Sequence, residues 1–262
     1  MIPVKILSLF AFICLGLIVG SFLTMLAHRL PLMLYGVQIK KQRISWFYPP
    51  RSYCPQCQSI IPWYGNIPLI SFIMLRAKCA HCRQTIAKQY LLIEITSLCM
   101  TLLIILTQGL TLQAAGLLIL GWALLALAVM DIQHQILPDQ ITLPFLWLGL
   151  LCNSFGLYHS ASHAIWGAAF GYTLLWTIYW LFWLLRGKEG LGFGDFKLLA
   201  VVGAWGGWPV VLPTLLFAAL LGLLCNLPLL MRKRYEQAIP FGPYLAICGW
   251  LLLLFPQFQR FF

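Results

Sequence analysis

Charge is what this chain has least of. Only 9% of its 262 residues are charged and just six are acidic, whereas a soluble domain carries about 25% charged residues. With 61% hydrophobic residues, that scarcity excludes an ordinary water-soluble globule. Aspartate occurs only at Asp131, Asp139 and Asp195. A polar, small-residue cleavage site is missing after the first apolar run, Ile6 to Ala27, and the run is too long for a signal-peptide core. It is therefore read as a retained membrane span. Internal repeats and low-complexity tracts are missing as well, and residues 28–90 hold no glycine-rich dinucleotide fingerprint.

Base is not scarce. Seventeen Lys and Arg against six acids give a net charge of +11. Fifteen of the seventeen, all but Lys5 and Arg260, fall in segments that can share one side of a membrane: Arg29 to Lys88, Arg186 to Lys188, Lys197, and Arg232 to Arg234. Positive charge marks the cytoplasmic side. Charges split among loops in this way follow topology, so the sequence argues for membrane lipid around the chain and against nucleic acid as a partner. It implies no particular oligomeric state.

Repeated apolar runs of about 20 residues predict an all-α polytopic membrane protein of about eight transmembrane helices. The spans read Ile6–Ala27, Leu91–Thr107, a third ending at Met130, Ile141–Tyr158, Ala164–Leu185, a short sixth from Asp195 to the turn at Gly206, Val210–Met231, and an eighth from Ile239 to Phe255. Both termini then lie outside. Three regions follow: residues 1–27 as the first transmembrane helix, 28–90 as a small cytoplasmic domain, and 91–262 as a seven-helix membrane domain.

The cytoplasmic segment carries Cys54-Pro55-Gln56-Cys57 and Cys79-Ala80-His81-Cys82. Two such knuckles suit a tetrahedral zinc site with four thiolate ligands and no open position, hence a structural one. Metal binding supplies folding energy that a short polar segment lacks. Disulfides and a redox pair are the competing readings, and His81 is an alternative ligand. The remaining cysteines, Cys14, Cys99, Cys152, Cys225 and Cys248, read as small apolar residues within spans.

Acid chemistry centres on Gly190-Leu191-Gly192-Phe193-Gly194-Asp195-Phe196-Lys197. The glycines are expected to let the backbone bend and another strand approach. About a dozen residues separate Asp195 from the next turn, roughly 18 Å of helix against a ~30 Å hydrocarbon core, which sinks Asp195 on the order of 10 Å below the inner surface. Non-helical backbone at that depth is tolerated only in a cavity or within protein. Asp131, expected where span 3 ends, is its candidate partner. Two close carboxylates share one proton, and the pair then serves as general base and general acid toward water and a peptide carbonyl. Either acid alone also reads as a helix cap. Asp139, after Pro138, reads as an N-cap. Lys197 has three open roles: tuning the dyad, pairing a substrate carboxylate, or snorkelling to headgroups. Glu94, another acid inside a span, reads either as a substrate contact or as a helix–helix hydrogen bond.

These residues, taken in order, resemble the type IV prepilin peptidases, which also serve type II secretion. The likeness runs through Gly20-Ser21-Phe22-Leu23, His28-Arg29-Leu30-Pro31, the two knuckles with Asn66-Ile67-Pro68-Leu69 between them, Asp131 to Asp139, Gly192-x-Gly194-Asp195-x-Lys197, and Pro240-Phe241-Gly242-Pro243. Thr24 departs from it, standing where the family commonly has Asn. The resemblance implies catalytic Asp131 and Asp195, supported by Gly192, Gly194 and Lys197, and metal ligands Cys54, Cys57, Cys79 and Cys82. It implies an aspartic endopeptidase of the bacterial inner membrane, with residues 91–262 as the protease domain. Its active site would lie at the cytoplasmic face, cutting the leader from prepilins or pseudopilins. It also implies N-methylation of the new amino terminus with S-adenosylmethionine. The rival from another class is a non-enzymatic, zinc-containing membrane assembly or transport protein that uses the aspartates as an ion relay.

Overall fold

In the computed structural model the described residues are 2–36, 38–39, 42–43, 54, 56–57, 59–62, 65, 68–188, 190–231 and 239–257. The Arg232 to Arg234 anchor, Pro55, and Asn66-Ile67 of the inter-knuckle motif lie outside them.

Nine α-helices follow one another among the described residues: α1 Ile2–Leu34, α2 Ile70–Met74, α3 Lys88–Gln108, α4 Leu112–His134, α5 Asp139–Ser154, α6 Ala161–Arg186, α7 Phe193–Gly206, α8 Val211–Met231 and α9 Gly242–Leu254. A single turn of 3₁₀ helix, Trp208–Val210, leads into α8. Among the described residues the strands are the two-residue antiparallel pair Gln38–Ile39 and Gln42–Arg43. Among the described residues, five helices are long and apolar enough to cross a membrane: those of α1, α3, α4, α6 and α8. The chain is a multi-pass membrane protein.

Several expected boundaries move. Helix α1 does not stop at Ala27 but continues through Pro31 to Leu34, where Gly36 turns the chain with φ 65°. Span 3 does not end at Met130. Helix α4 runs on to His134 and is closed by Gln135 in the left-handed region, whose N–H bonds the Asp131 carbonyl at 2.9 Å. Asp131 therefore sits in the last turn of a helix.

Contacts divide the chain into two units, Met1–Gly109 and Leu110–Phe262; the sequence reading draws its last boundary at residue 90. In the first unit α1 lies along α3. Gly16 and Gly20, four apart, face it: a Cβ on Gly16 would fall 3.0 Å from the Leu98 Cα, and one on Gly20 would fall 2.8 Å from the Glu94 Cα. Small residues at that spacing let helix backbones approach closely. The Ser97 hydroxyl uses the proximity, donating to the Gly16 carbonyl at 2.8 Å. Thr24, the departure from the family pattern, is buried and turns its hydroxyl back to the Gly20 carbonyl at 2.8 Å.

In the second unit α7 is the central element. From Asp195 to Gly206 only Lys197 is not buried, and α5, α6 and α9 pack around it. Its 14 residues span about 21 Å. Such a short helix is tolerated at membrane depth because protein, not lipid, surrounds it. At its far end Asn153 is fully satisfied. Its amide donates to the Ala204 and Trp205 carbonyls at 2.9 and 3.1 Å, and its oxygen accepts from the Tyr158 and His159 N–H groups at 3.2 and 2.9 Å.

Candidate active site and cysteine cage

Asp131 and Asp195 are both 6% exposed. They reach one neighbourhood by way of Leu137. A Cβ on Gly194 would lie 2.7 Å from the Leu137 Cβ, and one on Gly242 would lie 3.3 Å from the Leu137 Cδ1 and 2.7 Å from the Asp131 Oδ2. The Leu137 side chain thus touches the residue beside Asp195 and the residue that holds the Asp131 carboxylate.

Each carboxylate is met by the start of a helix. Asp195 lies in the first turn of α7, with its N–H bonded to the Gly192 carbonyl at 3.1 Å. The Asp131 Oδ2 accepts the Gly242 N–H at 2.9 Å, from the first turn of α9. Helix N-termini carry partial positive charge and stabilise an anion. This gives Pro240-Phe241-Gly242-Pro243 a definite task. The segment starts α9 and delivers the Gly242 N–H to the acid, a role that sequence reasoning missed. The signal was there: proline beside glycine at a helix start marks a helix whose first N–H groups are left for other partners.

The glycine loop differs from expectation. Positive φ occurs at Gly187, the cap of α6, and not at Gly190, Gly192 or Gly194. Gly192 has φ −82° and ψ 141°, which any residue adopts. Space is what requires glycine here: a Cβ on Gly190 would meet the Phe182 ring at 2.7 Å, and one on Gly194 would meet Leu137.

Lys197 does not join the two buried acids. Its Nζ pairs with the Asp139 Oδ1 at 2.6 Å, at a partly exposed position. Asp139 is not an N-cap either. It is the first helical residue of α5, Pro138 occupies the cap position, and no side chain caps that helix. Pro138 is extended, with ψ 136°, and its carbonyl accepts the first bonds of α5 from the Ile141 and Thr142 N–H groups at 3.1 Å, so the Asp139 carboxylate is left for Lys197.

In the first unit Cys54, Cys57, Cys79 and Cys82 form one cluster, with all four sulfurs within 4.8 Å of one another. The Cys54–Cys82 and Cys57–Cys79 separations are 3.8 and 4.0 Å. A disulfide needs about 2.05 Å, whereas the edge of a tetrahedron with 2.3 Å metal–sulfur bonds is about 3.8 Å. The cage therefore fits a tetrahedral metal ion. Backbone bonds shape each knuckle: the Cys54 N–H meets the Ser59 carbonyl at 2.9 Å, and the Cys79 N–H meets the Gln84 carbonyl at 2.8 Å. The Ser59 hydroxyl, 2.9 Å from the Cys57 sulfur, holds that thiol down at about 6. The Gln84 N–H pulls Cys82 down, yet burial and the neighbouring sulfurs push it up to about 11. Thiols this close cannot all ionise without a cation. His81 is not a member of the cluster.

Beside the cage lies a cavity of about 690 Å³, bordered by α1, α2, the start of α3 and the knuckles. Glu94 lines it and is half-buried; its Oε2 accepts the Leu69 N–H at 2.9 Å. Of the two readings of Glu94, substrate contact or helix–helix hydrogen bond, the bond observed is neither; it goes to the chain entering α2. A cavity of this size suits a drug-sized or nucleoside-sized ligand.

Comparison with known proteins agrees with these features. Residues 14–108 match the bacterial peptidase A24 N-terminal domain, and residues 118–227 match the type IV leader peptidase family. A prepilin leader peptidase/N-methyltransferase of Stutzerimonas stutzeri is 45% identical over 92% of this chain and 88% of its own length. Proteins of the same name from Pseudomonas aeruginosa and Pseudomonas putida are each 44% identical, with the same coverage. No solved structure matches the chain. The chain belongs to the type IV leader peptidase family.

Proposed function

We propose that this protein removes the leader from prepilins or pseudopilins and methylates the amino group so exposed. The observation that carries the peptidase half is the pair of buried carboxylates, Asp131 and Asp195, each facing a helix start and gathered around Leu137. In this reading they hold one proton between them. The ionised member takes a proton from water as the water attacks the scissile carbonyl, and the protonated member polarises that carbonyl and then supplies the leaving amine. The Gly242 N–H keeps Asp131 in place throughout.

In this reading eight helices, α1 and α3 to α9, cross the membrane, in the topology inferred from charge. The site then opens at the cytoplasmic face of the inner membrane, where the basic loops meet a leader lying ahead of the pilin's apolar helix. The four thiolates hold structural zinc within residues 28–90, consistent with their tetrahedral spacing. S-adenosylmethionine, when bound, supplies an electrophilic methyl group. The names of the relatives favour processing over an ion relay.

Asp131→Asn and Asp195→Asn test the peptidase assignment. Each is nearly isosteric and removes the shared proton. Cleavage of a purified prepilin should fall by about 10³-fold, with the circular dichroism spectrum unchanged. Cleavage at near wild-type rate by either variant would refute the dyad.

A further inference from the structure

We infer that the 690 Å³ cavity of the first unit is the methyl-transfer chamber and that Glu94 holds the amino group that accepts the methyl. The inference rests on the methylation reading above and assigns it a place and a residue.

Among the described residues that line the cavity, Glu94 is the one carboxylate. The wall around it is mixed: Ile18 and Phe22 of α1, Phe72 of α2 and Leu91 one turn before it are apolar, and the basic side chains of His28 and Arg29 line the same cavity. A half-buried carboxylate at the edge of a membrane span is costly unless it has a cationic partner. The Leu69 N–H bond fixes one oxygen and does not neutralise the charge. That bond also holds Leu69 in the left-handed region, with φ 56°, so carboxylate and α2 are oriented together.

Depth chooses between two cationic ligands. Glu94 lies six residues into a membrane-crossing helix that begins at Lys88, about 9 Å from its start. An amino group heading an apolar chain arrives at that level from the bilayer. A water-soluble methylsulfonium donor, which also carries an amino group, comes from the wet side, where the knuckles and His81 form the wall.

The chemistry balances. Bound as an ammonium, the amino terminus gives one proton to the Glu94 carboxylate. The freed lone pair on nitrogen forms the N–CH₃ bond as the C–S bond of the sulfonium donor breaks. The bonding pair leaves with sulfur as a neutral thioether, and the methylated amine keeps its positive charge until it is released.

The test uses the full-length, zinc-loaded protein in nanodiscs. Its probes are a synthetic mature-pilin N-terminal peptide, the same peptide N-acetylated, and S-adenosylhomocysteine. Wild type should prefer the free amine. In Glu94→Gln the free-amine peptide should bind roughly 30-fold more weakly, level with its acetylated twin, while S-adenosylhomocysteine binding shifts by less than about twofold. Glu94→Asp should recover part of the preference, which a merely structural role for the bond to Leu69 does not predict. Phe72→Trp, which fills the chamber, should weaken both peptides alike. A free-amine preference that survives in Glu94→Gln overturns the assignment, and so does a loss confined to S-adenosylhomocysteine. A wild-type protein that binds the peptide but never adds a methyl group sinks the methylation reading itself, a different failure with a different signature.

Discussion

Gly242→Ala is the sharpest perturbation the site offers. The added Cβ would lie 2.7 Å from the Asp131 Oδ2 and 3.1 Å from its Cγ. Ordinary carbon–oxygen contact is a few tenths of an ångström longer, so either α9 or the carboxylate must shift by about 0.5 Å. Both end the 2.9 Å bond from the Gly242 N–H. A hydrogen bond to a charged group contributes about 1.5–3 kcal/mol, and a 1 Å error in a reacting group costs on the order of 10²-fold in rate. Leader cleavage should therefore drop about 100-fold in kcat, with KM little changed and the helical spectrum intact. Gly194→Ala should lose less, because what it meets is Leu137 and not a reacting carboxylate, and Gly192→Ala least, because its Cβ would sit 3.5 Å from the Asp195 Oδ2. The assay is single-turnover cleavage of a fluorescent prepilin by the three purified variants. Gly242→Ala at wild-type speed, or the order reversed, would show that the Gly242 contact does not position Asp131.

Two further outcomes follow from the rest of the molecule. Zinc binding to the metal-free protein at pH 7 should release fewer than four protons, because Cys57, at about 6, is already largely thiolate; at pH 5 one more should be released, since that thiol is then protonated. Titration calorimetry in buffers of different ionisation enthalpy measures the count. Asn153→Ala leaves two carbonyls and two N–H groups near α7 without their partner, so it should destabilise the second unit by about 3 kcal/mol, seen as a lower Tm.

Much of the site was legible because its chemistry is scarce. Three aspartates in an apolar chain draw attention, and two matched knuckles at the right spacing predict a four-sulfur cage. What the sequence hid were contacts made across long separations. Lys197 stands two residues from Asp195, yet its partner is Asp139, 58 residues away. Local reading ties a lysine to the nearest acid, but α7 turns residue 197 to the opposite face. Pro240 to Pro243 marks a helix start, but no pattern in the segment reveals which acid its N–H groups will meet. Asn153 is silent in sequence, since a polar residue at a span end is ordinary until the backbone around it is known.

The bond between Asp131 and Gly242 crosses 111 positions of chain. During synthesis α4 enters the bilayer long before α9 exists. Until the last helix arrives, the first aspartate has no backbone donor to steady it. In the proposed mechanism the aspartate pair is therefore held in place only once α9 has been inserted beside α4.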